Sequence, residues 1–446
     1  MSGPCMPHRL PRRRSLWAKL AALLALLLAG ETAASLVVLV ATGVFAAGAD
    51  SVNQYIDREL SDAVQEVSAD FEALTVGGIE LARALGPQLD QELARLGAVS
   101  ADLAGRPDAL EPMLRAAVDP LLGALNLYPA SGAFLILDAT VSPELARSQD
   151  SRAGLFLRSA EPNTVTRSNS SIHYWRGPMS LAREWAIPVL PQWEMEIQTT
   201  PGDYFHQALA AVGSARDVSR MYTWQPRQRL PGDDTDVMLL TVPVLAADGT
   251  ALGVCGLEVS AMLFKLRHRP DAPACQEVLI VLSVATSRDG IDTSAAMITG
   301  GPYAELDTGQ LTLVGQQRGL GEWEGRRSYM GKVEAFDLYP RNSANAEGGW
   351  QLGVLVPKVA MQRFIHGRNQ RLIWPLVGAT TLVLAFGALL IRRIVSPIGQ
   401  ALDEIRSGNS APRTKIREID DLFAFLAEQD AARDAAARDR LANAVG

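Results

Sequence analysis

The stretch LIWPLVGATTLVLAFGALLI, Leu372–Ile391, runs for twenty residues without a charge. In a helix rising about 1.5 Å per residue it reaches roughly 30 Å, the hydrocarbon thickness of a bilayer. The composition predicts a membrane-spanning helix over 372–391. Arg392 and Arg393 follow at once, and since Lys and Arg are retained on the cytoplasmic side, the Ile391 end is expected to face the cytoplasm.

Working outward, residues 20–47 (LAALLALLLAGETAASLVVLVATGVFAA) form a second apolar run, broken only by Glu31 and Thr32. A cleaved signal peptide is one reading, with Ala47–Ala49 as the processing site. Its apolar core is usually only about 7–15 residues, so an uncleaved transmembrane anchor is favoured. The basic tail 1–19 carries Arg9, Arg12, Arg13, Arg14 and Lys19 and no acid, which is +5. Residues 371–446 carry ten bases and nine acids, +1, so the total of −7 leaves −13 for residues 20–370. Basic ends and an acidic middle predict both termini in the cytoplasm and the bulk of the chain on the far side of the membrane. They exclude a nucleic-acid binder, since no basic stripe with interleaved aromatics occurs in the middle.

After Asp50, Val52, Ile56, Leu60, Val64, Val67, Phe71 and Leu74 recur every three or four residues, which predicts a stalk helix within 48–105. Gly77 and Gly78 weaken it, and Pro87 is expected to end or kink its continuation. The stripe reads equally as a dimer seam or as a face packed on its own domain. Beyond Arg106 the texture is that of short strands and turns: 133–138 (AFLILD), 153–159 (AGLFLRS), 218–224 (VSRMYTW), 237–245 (VMLLTVPVL) and 251–260 (ALGVCGLEVS). The last two, joined by AADG, predict an antiparallel hairpin. A smaller set follows at 277–285, 298–306, 310–316, 328–338 and 350–358, with a second hairpin across the loop 339–349. These make two tandem modules, 106–270 and 271–371. Cys255 and Cys275 read either as a bridge or as two buried thiols, and Cys5 lies in the basic tail.

The order of pieces resembles the double Cache ectodomains of bacterial transmembrane receptors: the stalk helix, AFLILD, YWRGP, PQWEMEI, DYF, MYTW, TVPVLAADG, GVCGLEVS and finally GGWQLGVLVPK before the second membrane helix. The resemblance implies an α+β fold, with two transmembrane helices flanking two PAS-like antiparallel-sheet modules. The membrane-distal module is the expected ligand binder. In the amine and amino-acid branch an Arg with aromatics holds the ligand carboxylate and an acid holds its ammonium, which places Trp175, Arg176, Tyr204, Tyr222, Trp224 and Glu258 at the ligand. The chemistry stands by itself: a zwitterion needs a fork of donors, a carboxylate and aromatic walls. The RxWY form of the motif is absent, and Glu258 stands where Asp is usual. Residues 392–446 resemble a HAMP relay with a shortened connector, and Leu422, Phe425, Leu426 and Leu441 continue a helical stripe as a cytoplasmic coil.

No GxSxG, HExxH, Walker or kinase signature occurs. His173, His206 and His268 lack ligand-like spacing, and the acidic PGDDTD at 231–236 lacks that of a calcium loop and reads as a solvated turn. No enzyme, metal or cofactor is expected. The reading is a sensor in which an extracellular small molecule (amino acid, amine or carboxylate) acts through a membrane-embedded homodimer on a cytoplasmic output partner or a further output domain. The rival reading is a membrane-anchored binding or adaptor protein without relay.

Overall fold

The computed structural model describes residues 47–390 except 145–147, 160–170, 216, 271–276, 288, 302–303, 318, 341–342, 344 and 346–348, with scattered residues of 22–37 and 392–438. By internal contacts, Asp50–Phe364 is one compact unit, and 1–49 with 365–446 another. The calls on the basic tail, on Cys275 and on most of the HAMP-like segment lie outside the described residues.

Helix α1 runs unbroken over Ala47–Arg95, straight through Pro87, so the expected break there is not found. Its stripe is spent inside the chain: Val52, Ile56, Leu60, Val67, Phe71 and Leu74 are all buried against its own unit. Of the two readings of that stripe, own-domain packing is the one observed. Gly78 and Gly86 let the helix lie directly on the sheet, since a Cβ at Gly78 would come within 2.5 Å of Leu240 and one at Gly86 would strike the Leu245 carbonyl.

The region expected to open with strands opens instead with helix α2, Pro107–Leu127, which carries Pro112 and Pro120 inside it. Pro120 cannot donate to the carbonyl of Ala116, four residues back. Gln88 of α1 supplies the missing donor, Nε2 to Ala116 O at 2.9 Å, so the helix tolerates its proline through its neighbour. The buried face, including Leu110, Leu114, Leu121 and Leu125, seals one side of the first sheet.

That sheet contains β1 (Gly132–Leu137), β2 (Ser151–Ser159), β3 (Ile172–Arg176), β4 (Val189–Glu194), β5 (Glu196–Gln198), β6 (Thr223–Arg229), β7 (Asp236–Leu245) and β8 (Ala251–Ser260). Its order is β4-β3-β2-β1-β8-β7-β6, with β5 on β2. All neighbours are antiparallel except the parallel pair β3–β4. The β7–β8 hairpin matches the AADG reading, with Gly249 at φ +86° in the turn. Edge strand β6 holds Pro226 at a register shift between Gln225 and Gln228, the position in a sheet where a missing N–H is tolerated. Short helices α3 (Met179–Glu184), α4 (Tyr204–Ala210) and α5 (Ala261–Arg267) complete the module.

The second sheet comprises β9 (Leu279–Ser287), β10 (Gly290–Asp292), β11 (Met297–Gly300), β12 (Gln310–Gln317), β13 (Leu320–Glu324), β14 (Ser328–Phe336) and β15 (Trp350–Pro357). The order is β10-β12-β13-β14-β15-β9-β11, and Leu279, Val281, Leu311, Trp323, Tyr329 and Leu355 centre its core. The fold is therefore α+β with two tandem sheets. Cys255 is a free, fully buried thiol, raised well above its ordinary pKa by that burial; no bridge involves it.

Helix α6, Lys358–Leu390, carries most of the charge-free stretch. Among the described residues no helix is long and apolar enough to cross a membrane, and much of 20–47 lies outside them.

One buried histidine joins α1 to α5. His268 is 4% exposed, its Nε2 lies 3.4 Å from Asp70 Oδ2, and Arg267 pairs bidentately with the same carboxylate at 2.6 and 2.7 Å. Desolvation, partly offset by Asp70, lowers its pKa from 6.5 to about 4. Between these values the unfolded chain holds a proton that the folded chain refuses, so stability falls as pH drops from 6.5 toward 4, by on the order of 3 kcal/mol in all. A His268→Gln variant should lose that slope in urea titrations at pH 7, 5.5 and 4.5.

Candidate functional site

Of the two bases in β2, Arg152 and Arg158, the second follows the buried apolar run 153–157, and burial forces it to find acids. Its Nε and Nη2 donate to Glu258 Oε2 at 3.0 and 2.6 Å, and its Nη1 lies 2.7 Å from Asp233 Oδ2. The guanidinium carbon sits 3.9 Å from the Trp175 ring centroid, a stacked cation. Glu258 faces it from β8, with β1 lying between the two strands. Burial pushes the Glu258 carboxyl above its ordinary value, while the Arg158 guanidinium and the Ser131 hydroxyl, donating to Oε1 at 3.0 Å, pull it back.

Arg176 lies next door on β3 and is 2% exposed. It is spent on the backbone: Nη1 donates to Gln192 O at 2.6 Å and Trp175 O at 3.1 Å, and Nη2 to Pro231 O at 3.1 Å, with Glu194 3.7 Å from Nε. Its guanidinium carbon is also 3.9 Å from the Trp175 ring. Trp175 thus meets two guanidiniums. Beneath them Phe134, Phe156, Tyr204, Leu230 and Leu239 form the apolar floor, and burial raises the Tyr204 phenol far above its ordinary pKa.

The loop between β6 and β7, Leu230–Thr235, is held by both arginines, through Pro231 O and through Asp233. At its bend Gly232 has φ +73°, and a Cβ there would come within 2.9 Å of Arg176 Nη2. Pro231 also walls a cavity of about 470 Å³ bordered by Thr140, Asp150, Ser151, Glu196 and Thr199. Glu196 accepts from Thr140 Oγ1, Val141 N and Ser151 Oγ. The Thr199 hydroxyl is buried with no partner among the described residues.

The structure therefore brings Trp175, Arg176, Tyr204 and Glu258 together, but around Arg158 and Asp233, which the sequence reading did not single out. PGDDTD is not simply a solvated turn: Asp233 is an inward partner of Arg158, and Asp236 pairs with Arg227 and Arg229. Tyr222 and Trp224 lie elsewhere. They sit at the start of β6, with Leu230 six residues further, roughly 20 Å along an extended strand. Trp224 packs at a tilt against Phe71, ring centroids 4.6 Å apart, its Nε1 donates to Thr75 Oγ1 at 3.1 Å, and Tyr222 Oη donates to Leu338 O at 2.8 Å. Both line the joint between the modules and the stalk. Among the described residues no group of three His, Cys, Asp or Glu could hold a metal ion.

No family model and no curated protein matches the sequence. Solved structures similar to the chain include the periplasmic sensory domain of the Campylobacter jejuni chemoreceptor Tlp1, at 11% identity over 70% of this chain and 98% of that one, TM-score 0.39. The ligand-binding domain of the Pseudomonas aeruginosa amino-acid chemoreceptor PctB, in complex with L-Arg, gives 12% over 69% and 94%, TM-score 0.34. That of Pseudomonas fluorescens CtaA with L-serine gives 10% over 69% and 96%, TM-score 0.32. At scores this low the overlap assigns no residue and no ligand to this chain.

Proposed function

We propose that the chain is a membrane-anchored sensor whose distal module binds a small zwitterion, with the ligand carboxylate taking the Nη1 edge of Arg158. One observation carries this reading: the edge is already occupied by a carboxylate, Asp233, that hangs on a hairpin loop instead of a strand. A guanidinium backed by an indole is a carboxylate receptor, and Asp233 fills it as an internal stand-in. A competing carboxylate releases the loop, whereas Glu258, fixed on central strand β8, keeps its two bonds. The adjoining cavity, with Asp150 and Glu196 on its walls and no base among the described residues that line it, suits the ammonium end. Ligand binding then favours a loop-out state by its differential affinity for the two arrangements, which is what a signal requires.

In the same reading the charge-free part of α6 from Leu372 on crosses the bilayer, as does the apolar run 20–47, and the HAMP-like segment carries the change onward in the cytoplasm. Supporting this, Trp374, Leu382 and Phe386 of α6 are 69%, 71% and 60% exposed, an apolar surface that lipid would cover. A homodimer would use a face of α1 other than its buried stripe.

The test is a thermal-shift screen of the full chain in detergent against amino acids, amines and carboxylates. Arg158→Lys keeps the charge and loses the fork, so it should abolish the stabilisation given by the best zwitterion, while Tyr222→Phe should keep it. Equal stabilisation in wild type and Arg158→Lys overturns the assignment.

A further inference from the structure

The joint between the two modules contains a second cavity, of about 490 Å³, that the distal site does not use. Its walls come from three elements: Phe71, Glu72 and Thr75 of α1, Tyr222 at the start of β6, and Asp337 and Tyr339 in the segment after β14. The joint is tied across the modules. Tyr339 Oη accepts from Trp224 N at 2.7 Å, and Asn345 Nδ2 donates to Tyr222 O and Thr223 Oγ1 at 2.8 and 2.9 Å.

We propose that this cavity is a separate binding site for an organic ammonium ion. Two carboxylates reach it from different elements, no Lys, Arg or His is among the described residues that line it, and neither Glu72 nor Asp337 has a hydrogen bond or ion pair among the described residues. Both phenol hydroxyls are spent on backbone groups, so Tyr222 and Tyr339, stacked at 5.5 Å, offer the cavity their rings. Aromatic faces beside uncompensated carboxylates favour a soft, weakly hydrated cation over a neutral or anionic guest. A divalent metal is disfavoured for want of a third acid, Cys or His. A bound cation touches the stalk helix and both modules at once, so it stiffens the joint through which a distal event reaches α1. It is a second input, independent of the carboxylate site.

The experiment measures choline binding to the full chain in detergent by calorimetry and thermal shift, with 3,3-dimethyl-1-butanol as its uncharged isostere. Choline should bind saturably in the millimolar range or tighter and the alcohol should not. Glu72→Gln combined with Asp337→Asn, both exposed positions, should weaken choline at least about tenfold, the factor that corresponds to about 1.4 kcal/mol. Arg158→Lys should leave choline binding intact, which separates this site from the distal one. Equal effects of choline and the alcohol, an unchanged affinity in the double variant, loss of choline binding in Arg158→Lys, or no saturable binding up to tens of millimolar would each overturn the proposal.

Discussion

Arg158→Ala should destabilise the unit 50–364 by about 3–5 kcal/mol, the cost of leaving a buried ion-pair network without its cation. Two acids depend on that guanidinium: Glu258 at 1% exposure and Asp233, whose side chain is 9% exposed. Glu258, on central strand β8, cannot reach water without opening the module, whereas Asp233 lies in a loop with exposed neighbours and loses mainly its partner. For a folding unit of this size the loss corresponds to roughly 5–8 °C in unfolding midpoint. The paired change Arg158→Met with Glu258→Gln neutralises the more deeply buried of the two acids and leaves only Asp233 without its cation, so it should recover part of the loss, because replacing a buried ion pair by uncharged groups is often near neutral. Circular dichroism melts of the three proteins check this. A midpoint drop under 2 °C for Arg158→Ala would show the acids solvated and the network absent.

Gly256→Ala should be comparably damaging for a different reason. Gly256 sits on β8 between Phe134 of β1 and Thr241 of β7. A Cβ there would collide with the Leu240 carbonyl and come within 2.7 Å of Phe134 Cζ. One obstacle is backbone, so no rotamer relieves it, and the central hairpin has to shift. Overpacking of a well-filled core usually costs about 1–3 kcal/mol; with a backbone carbonyl in the way, the upper end or beyond is expected. Gly349→Ala provides the control, since its nearest neighbour would be 3.5 Å away.

The strands of the β7–β8 hairpin were legible because alternation and the AADG turn agree, and β8 begins and ends where the sequence pattern does. Helix α2 was not, because two prolines, Pro112 and Pro120, lie inside it, and only the fold shows Gln88 supplying the donor that Pro120 lacks. Pro87 in α1 likewise reads as a break or kink in the sequence, and the helix continues through it. For the site, Trp175, Arg176, Tyr204 and Glu258 could be grouped from the order of segments. Tyr222 and Trp224 could not be excluded from it, since a strand's pattern does not say which element covers its aromatic face. Arg158 did leave a signal: a single base inside AGLFLRS, in a strand buried on both sides, must have acids near it. Asp233 left almost none, because a loop acid looks solvated until the fold turns it inward.

The most direct test of the sensor reading is the affinity of Asp233→Asn for the best zwitterion of the screen, measured by calorimetry beside wild type. Removing the stand-in carboxylate frees Arg158 Nη1 for the ligand, and the affinity should rise by about tenfold, corresponding to about 1.4 kcal/mol. An affinity unchanged or lowered in Asp233→Asn would mean that the loop carboxylate guards nothing, and the distal site as described would fall.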